Sequence, residues 1–360
     1  MRTTDTDTYL AWETGCDLYQ VESTATDNTT GRSYSVGGAT YFSEGSSLGE
    51  GVYQVRGGYQ AIGNTLMETD DDLKIRDILH ESSSANVTGL PGDAEVVLAY
   101  LYWSAWYSGA STEADTNINL YIDGQGVHFD ETGVAVNGTA NVTAEKYWIL
   151  DSAGSSFYYS CFCDVTDLVR LNTPQGDAEY TVANVTGTTG SEYSYAGWSL
   201  VVFFSSPSED SHQLFLYDTF LSAGSWDTHT FSIEGFEAPE NAEATLTCFV
   251  GEGDDHYGGK WWDCDKIKFN GYYLSDAINP QCNVWNGKSS GLGGLFIDGV
   301  DIDSFNVSSP IIESGDCSAD VELGTGIDNW ALIYIVLSFS SEYGGLTPNA
   351  SGIISYYGGS

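Results

Sequence analysis

Along most of this chain, short apolar runs are broken at close intervals by Gly, Ser, Thr, Asn and Asp. Runs of this length, rich in β-branched and aromatic residues, predict strands at 96–103 (VVLAYLYW), 118–122, 178–185, 199–204, 214–216, 244–250, 267–273 and 331–339. Only 71–80 (DDLKIRDILH) has the spacing of a short helix. Many short strands joined by Gly-rich turns predict an all-β protein of the sandwich or jelly-roll kind. The first fifty residues differ. They are polar, with one apolar centre at Tyr9, Leu10 and Trp12, and read as an extended N-terminal arm.

Pieces of the pattern occur twice, in the same order. TGLPGDAEVV at 88–97 matches FEAPENAEAT at 236–245, and YIDG at 121–124 matches KFNG at 268–271. GDAEYTV at 176–182 matches GDCSADVEL at 315–323, and GWSLVVFFSS at 197–206 matches NWALIYIVLSFSS at 329–341. Four weak matches in one order predict a tandem duplication. The expected organisation is an arm over 1–49, then two related β-sandwich domains over 50–212 and 213–360, a comfortable division of 360 residues.

Composition changes the picture through its missing bases. The chain holds 51 Asp and Glu but only 11 Lys and Arg, giving a net charge of -40. Charged residues make up 17%, so Ser, Thr, Asn, Gly and Tyr cover much of the surface. Without a basic patch, nucleic acid is excluded as a main partner. No apolar run is long enough to span a bilayer, so membrane insertion is not expected. High-salt adaptation and masking of the surface by sugars both account for the charge.

Sequons of the N-x-S/T type stand at Asn28, Asn86, Asn137, Asn141, Asn184, Asn306 and Asn349, and predict covalent glycans on an extracellular, cell-surface protein. The 7 cysteines fit the same setting. Spacing favours Cys248 with Cys264 and Cys282 with Cys317, while Cys16 would meet Cys161 or Cys163 and leave the other free; spacing alone does not fix the pairing. Asp298, Asp301 and Asp303 form one acidic cluster, and Glu252, Asp254, Asp255, Asp263 and Asp265 another. A structural Ca²⁺ on the first is a weak expectation against solvated turns, and no other cofactor is implied.

Signatures of catalysis are poor. The five His are dispersed, and the G-x-S-x-G match at 45–49 lacks the strand and helix that a nucleophile elbow requires. Trp261 and Trp262, in a polar loop, are the surface candidates for stacking on sugar.

The segments AEVVLAYLYWSAW at 94–106, DVT at 164–166, YAGWSLVVFFSS at 195–206 and GEGD at 251–254 resemble a β-domain family of large secreted bacterial and archaeal surface proteins. A weaker similarity is to subunits of glycosylated extracellular fibres. The resemblance implies a surface setting and carries no catalytic residues. The resulting expectation is a non-enzymatic fibre or coat subunit that self-associates, with the arm donated as a strand to a neighbour. A carbohydrate-binding adhesin module is the alternative, and a glycoside hydrolase a distant third.

Overall fold

A computed structural model describes residues 49–69, 75–109, 114–151, 156–234, 236, 238–241, 243–253 and 264–340, with four short strands before them. The described chain is nearly all β, with antiparallel pairing throughout its sheets and one short α-helix, Thr166–Asn172.

Nine strands form one continuous path: β1 (Gly49–Thr65), β2 (Glu95–Ser108), β3 (Lys146–Asp151), β4 (Ser156–Asp164), β5 (Ala196–Ser205), β6 (Ser211–Ala223), β7 (Ala244–Gly253), β8 (Gly299–Asn306) and β9 (Trp330–Ser340). Their spatial order is β3-β4-β2-β5-β1-β6-β9-β7-β8. Strand β1 is the joint. Its first half, to Arg56, pairs with β6, and its second half, from Gly57, pairs with β5. The change of partner falls at Gly57, whose φ is 151° and where an added Cβ would lie 2.0 Å from the Phe204 carbonyl oxygen. Only glycine fits there.

The path turns back at this joint, so its two halves face each other. Tyr102 of β2 meets Tyr334 of β9 with ring centroids 4.9 Å apart, and the Tyr334 hydroxyl lies 2.7 Å from Ser199 Oγ of β5. Between the halves lies a core of Tyr100, Val201, Phe203, Leu214, Phe249, Ile302 and their neighbours. Each half buries its other face under a smaller sheet. Over the first lie Ser82–Val87, Ala178–Ala183, Asn117–Ile122, Gln125–Phe129 and Ala135–Asn137 in spatial order; over the second lie Thr228–Glu234, Ser318–Gly324, Lys266–Phe269 and Tyr272–Tyr273. Four layers thus enclose three cores.

The two outer sheets are built alike. Each has a hairpin with two left-handed turn residues, Asp123–Gly124 (φ 49° and 74°) and Asn270–Gly271 (φ 50° and 78°). Asp-Gly and Asn-Gly are the pairs such turns favour. Each inner half also buries tryptophan under its outer sheet, Trp103 and Trp198 in the first and Trp330 in the second. Trp198 Nε1 donates to Ser83 Oγ at 2.9 Å, and the Trp330 ring lies 5.7 Å from that of His229.

One local expectation is corrected, and one element was not foreseen. Residues 75–80 are extended: Arg76 bridges to Ser191, and Ile78–Leu79 pairs with Met67–Glu68. Tertiary contacts of Arg76 override the helical spacing there. A helix forms instead after DVT, where Asp164 Oδ1 accepts the Thr166 backbone N–H at 2.9 Å and Leu168 and Val169 enter the core. In the arm, Leu10–Ala11 pairs with Tyr19–Gln20, and Ser23–Asp27 pairs with Arg32–Val36. Tyr9 and Trp12, the other apolar residues of the arm, lie outside the described residues.

Candidate functional site

Strand β7 ends in Gly251-Glu252-Gly253. Its pairing with β8 slips here, Gly251 opposite Val300 and Gly253 opposite Gly299, so Glu252 is the extra residue of a bulge. Its φ is 78° and it is buried. A bulky residue in the left-handed region is strained, and such strain concentrates at functional sites. The flanking glycines permit it by letting other groups press on the backbone. An added Cβ on Gly251 would lie 2.3 Å from the Tyr195 ring, and one on Gly253 would lie 1.6 Å from Asp301 Oδ2.

Around Glu252 stand residues from several strand ends. Tyr195 is fully buried, its hydroxyl 2.8 Å from Ser104 Oγ; burial pushes its phenol well up, and the Glu252 charge adds to this. Tyr193 is half-buried and also raised, by burial first and then by the charges of Glu192, Glu252 and Asp328. Its ring lies 6.3 Å from that of Trp106. Asp328 is buried in the turn before β9, where its Oδ1 accepts the Asn329 N–H at 2.8 Å and Thr325 Oγ1 donates to its carbonyl at 3.1 Å. Two carboxylates and two tyrosines thus share one end of the inner sheets, and exposed Ile327 and Trp226 belong to the turns at Asp328.

Arg76 fastens this end from beneath. It is 1% exposed. Its Nη1 donates to the Ser194 carbonyl at 2.8 Å, its Nη2 to the Gly253 carbonyl at 2.7 Å, and its Nε to Asp298 Oδ1 at 2.8 Å. One rigid guanidinium fork therefore joins the approach to β5, the end of β7 and the approach to β8.

Asp298, Asp301 and Asp303, the residues of the calcium expectation, have the following partners. Asp298 is bonded to Arg76 and to Thr69 Oγ1. Asp301 and Asp303 do share one face of β8, but both are fully buried and already hydrogen-bonded: Asp301 accepts from the Asn286 N–H, and Asp303 accepts from Asn279 Nδ2 and the Ser290 N–H. Burial raises both carboxyls, and the charge of Asp303 raises Asp301 further. Among the described residues no group of three or more His, Cys, Asp or Glu is placed to hold a metal ion.

The disulfide pairing is corrected too. Cys264 bonds Cys282, with Cα atoms 4.4 Å apart, so neither Cys248 nor Cys317 takes the partner expected of it. Cys248, Cys161 and Cys163 are buried free thiols. For Cys248 the reason is its place on β7, where it packs in the core under the second outer sheet. Cys161 and Cys163 lie in the other outer core and are not bonded to Cys16, which lies outside the described residues. Asn86, Asn137, Asn141, Asn184 and Asn306 are all exposed. Asn28, Asn349, Trp261, Trp262, Asp254, Asp255 and Asp263 lie outside the described residues. Sequence reasoning gave Glu252 only as one acid among several and passed over Arg76, Tyr193, Tyr195 and Asp328. The available signal was a glutamate between two glycines at a strand end.

The likenesses to known proteins are remote. A β-porphyranase of glycoside hydrolase family 86 from the human gut bacterium Bacteroides plebeius is 11% identical, with a TM-score of 0.25, over 76% of this chain and 38% of that one. Peptide N-glycanase F is 12% identical, with a TM-score of 0.23, over 82% of this chain and 99% of that one. The ANXUR2 extracellular domain from Arabidopsis thaliana is 8% identical, with a TM-score of 0.23, over 79% and 89%. The chain covers 34% to 38% of the family 86 structures that it matches. At these values the likeness transfers no activity. Among curated proteins none matches. The expected fibre or coat subunit gains no support here, since none of the structures named is one. One family model does cover most of the sequence, matching residues 25–338 under the description "protein of unknown function (DUF3344)". The chain belongs to the DUF3344 family.

Proposed function

We propose that this protein is an extracellular hydrolase of glycan linkages with its reacting groups at Glu252 and Asp328. The observation that carries the reading is Glu252 itself: a buried carboxylate held in a left-handed conformation between two glycines, with Tyr193 in the field of both it and Asp328. Cleavage of a glycosidic bond needs one carboxyl to protonate the leaving oxygen and a second carboxylate to activate the water or attack the sugar carbon. Glu252, the more enclosed of the two, suits the proton donor. Asp328, oriented by the Asn329 N–H, suits the base or nucleophile. Half-buried Tyr193, backed by Trp106, supplies an aromatic face beside them.

The extracellular setting is supported by the Cys264–Cys282 disulfide and by the exposure of five sequon asparagines, at which we place covalent glycans. The like-built outer sheets and the paired roles of Trp198 and Trp330 support two related sandwich domains arising by duplication, divided near residue 212.

The test is release of reducing ends from a panel of polysaccharides and glycoproteins by the native chain, Glu252→Gln and Asp328→Asn. Loss of a general acid is expected to slow turnover by ~100-fold or more without a change in melting temperature. Native protein that releases nothing from the panel, or a Glu252→Gln variant as active as the native chain, overturns the reading.

A further inference from the structure

The surface beside Asp328 carries a second conformational outlier. Trp226 is 62% exposed, and its φ is 70°. An exposed indole forgoes hydrophobic burial, and a bulky side chain in the left-handed region adds backbone strain. The turn that bears it is nevertheless well fastened. The Trp226 N–H donates to the Gly326 carbonyl at 2.5 Å, Ser225 Oγ to the Ile327 carbonyl at 3.2 Å, and the Thr325 N–H to the Asp227 carbonyl at 3.1 Å. Within the turn, the Gly224 N–H donates to Asp227 Oδ2 at 3.0 Å. The 324–329 turn thus holds exposed Trp226 and Ile327 on one side and carries buried Asp328 on the other. Two unfavourable features at one rigidly held aromatic mark a side chain kept for a ligand.

Charge narrows the ligand. Glu192, Glu252 and Asp328 all raise Tyr193, and exposed Asp227 stands next to Trp226 in its turn. Arg76 is buried, its guanidinium turned to two carbonyls and Asp298. Lys266 lies alongside Gly324 and Thr228, toward the second outer sheet. The net charge of -40 extends the same sign over the whole molecule. Sulfated or uronate sugars would meet repulsion, whereas uncharged sugars offer C–H faces to an indole and hydroxyls to carboxylates. We infer that the Glu252 site takes an uncharged glycan, one ring of which stacks on Trp226. This rests on the hydrolase reading for its location and adds the substrate class and the residue that selects it.

Native affinity electrophoresis tests the inference at about 0.15 M salt, where exposed charges more than ~8 Å apart are largely screened. The probes are neutral polymers (hydroxyethylcellulose, xylan, galactomannan, mixed-linkage β-glucan) and anionic ones (carboxymethylcellulose, alginate, a sulfated galactan). The proteins are the native chain, Glu252→Gln and Trp226→Ala, each checked for unchanged melting temperature. At least one neutral polymer is expected to retard the native chain, with affinity reduced ~10-fold in Trp226→Ala, the loss of one good aromatic contact. Anionic polymers are expected to leave all three unretarded. Retardation by the anionic polymers, equal retardation of Trp226→Ala, or no retardation by any neutral polymer overturns the inference. Binding that needs Trp226 without turnover by the native chain would sink the hydrolase reading and leave this one standing. Turnover lost in Glu252→Gln but unaffected in Trp226→Ala would do the reverse.

Discussion

Arg76 and Asp218 show what burial does to single charges in a chain with few bases. Arg76 serves three acceptors from three segments. Replacing it with Met would leave the Asp298 carboxylate, 12% exposed, without its counter-charge. Removing one partner of a buried pair costs ~3–5 kcal/mol. Arg76→Met is therefore expected to lose about that much in urea denaturation, and Arg76→Lys to recover less than half, because an ammonium cannot reach the three diverging acceptors of a planar fork. A loss under ~1 kcal/mol for Arg76→Met, against the magnitude for such pairs, refutes the role. Asp218 is the opposite case. Burial pushes its carboxyl up to about 7, against a smaller downward pull from Lys146 at 4.0 Å. A carboxyl that is harder to ionise in the folded state binds its proton more tightly there. Its contribution to stability is therefore complete near pH 4 and is lost as pH rises toward about 7. Asp218→Asn is expected to flatten that decline and to raise stability at pH 8 by a few kcal/mol, on the order of 1.4 kcal/mol per pKa unit. Identical stability–pH profiles for the two proteins between pH 4 and 8 would exclude it.

At the scale of elements, the informative contrast is between strands that announced themselves and strands that did not. Strand β9 and the core of β2 are unbroken apolar runs and were read directly, because inner sheets buried on both faces need no alternation. Strand β1, the joint of the inner sheets, was missed. Its sequence, GEGVYQVRGGYQAIGNT, is Gly-rich because the chain bends and changes partner at Gly57. Propensity sees glycine as a break; the tertiary fold uses it as a hinge in a continuous strand. The disulfide belongs to this scale too. Cys264 and Cys282 are 18 residues apart and enclose the Lys266–Tyr273 hairpin. Closing a loop of that length is worth ~3 kcal/mol in the chain-entropy model. The double Ser variant is expected to melt lower by a comparable amount in calorimetry with the fold retained, whereas no change under oxidising conditions would show the bridge to be dispensable.

For the whole molecule, the dominant quantity is the net charge of -40 on 360 residues. Self-repulsion of that size opposes compactness, and the few ion pairs among the described residues, such as Lys268 with Glu322 at 2.7 Å, cannot offset it. Three stacked cores and dense hydrogen bonding must carry the fold. Raising NaCl from ~0.01 M to ~1 M shortens the screening length from ~30 Å to ~3 Å. The melting temperature is expected to rise over that range, and a flat or falling trend would show that repulsion is not limiting.

The sequence by itself determined the strand-rich class, the buried Trp103, Trp198 and Trp330 of its apolar runs, and the turn pairs at 123–124 and 270–271. Each of these follows from local rules: apolar runs, β-branched content and residues that tolerate positive φ. Only the tertiary structure decided that the sheets stack in four layers, that Arg76 joins three segments, that Cys264 meets Cys282, and that Glu252, Asp328 and Tyr193 share one end. Those facts depend on which distant segments become neighbours. Glu252 lies in the bulge that ends β7 and Asp328 in the turn before β9, and nothing in the residues between them encodes their meeting. It arises because β7 and β9 pair in a register that places Gly251 opposite Ala331, and that register is set by burying both strands between two cores.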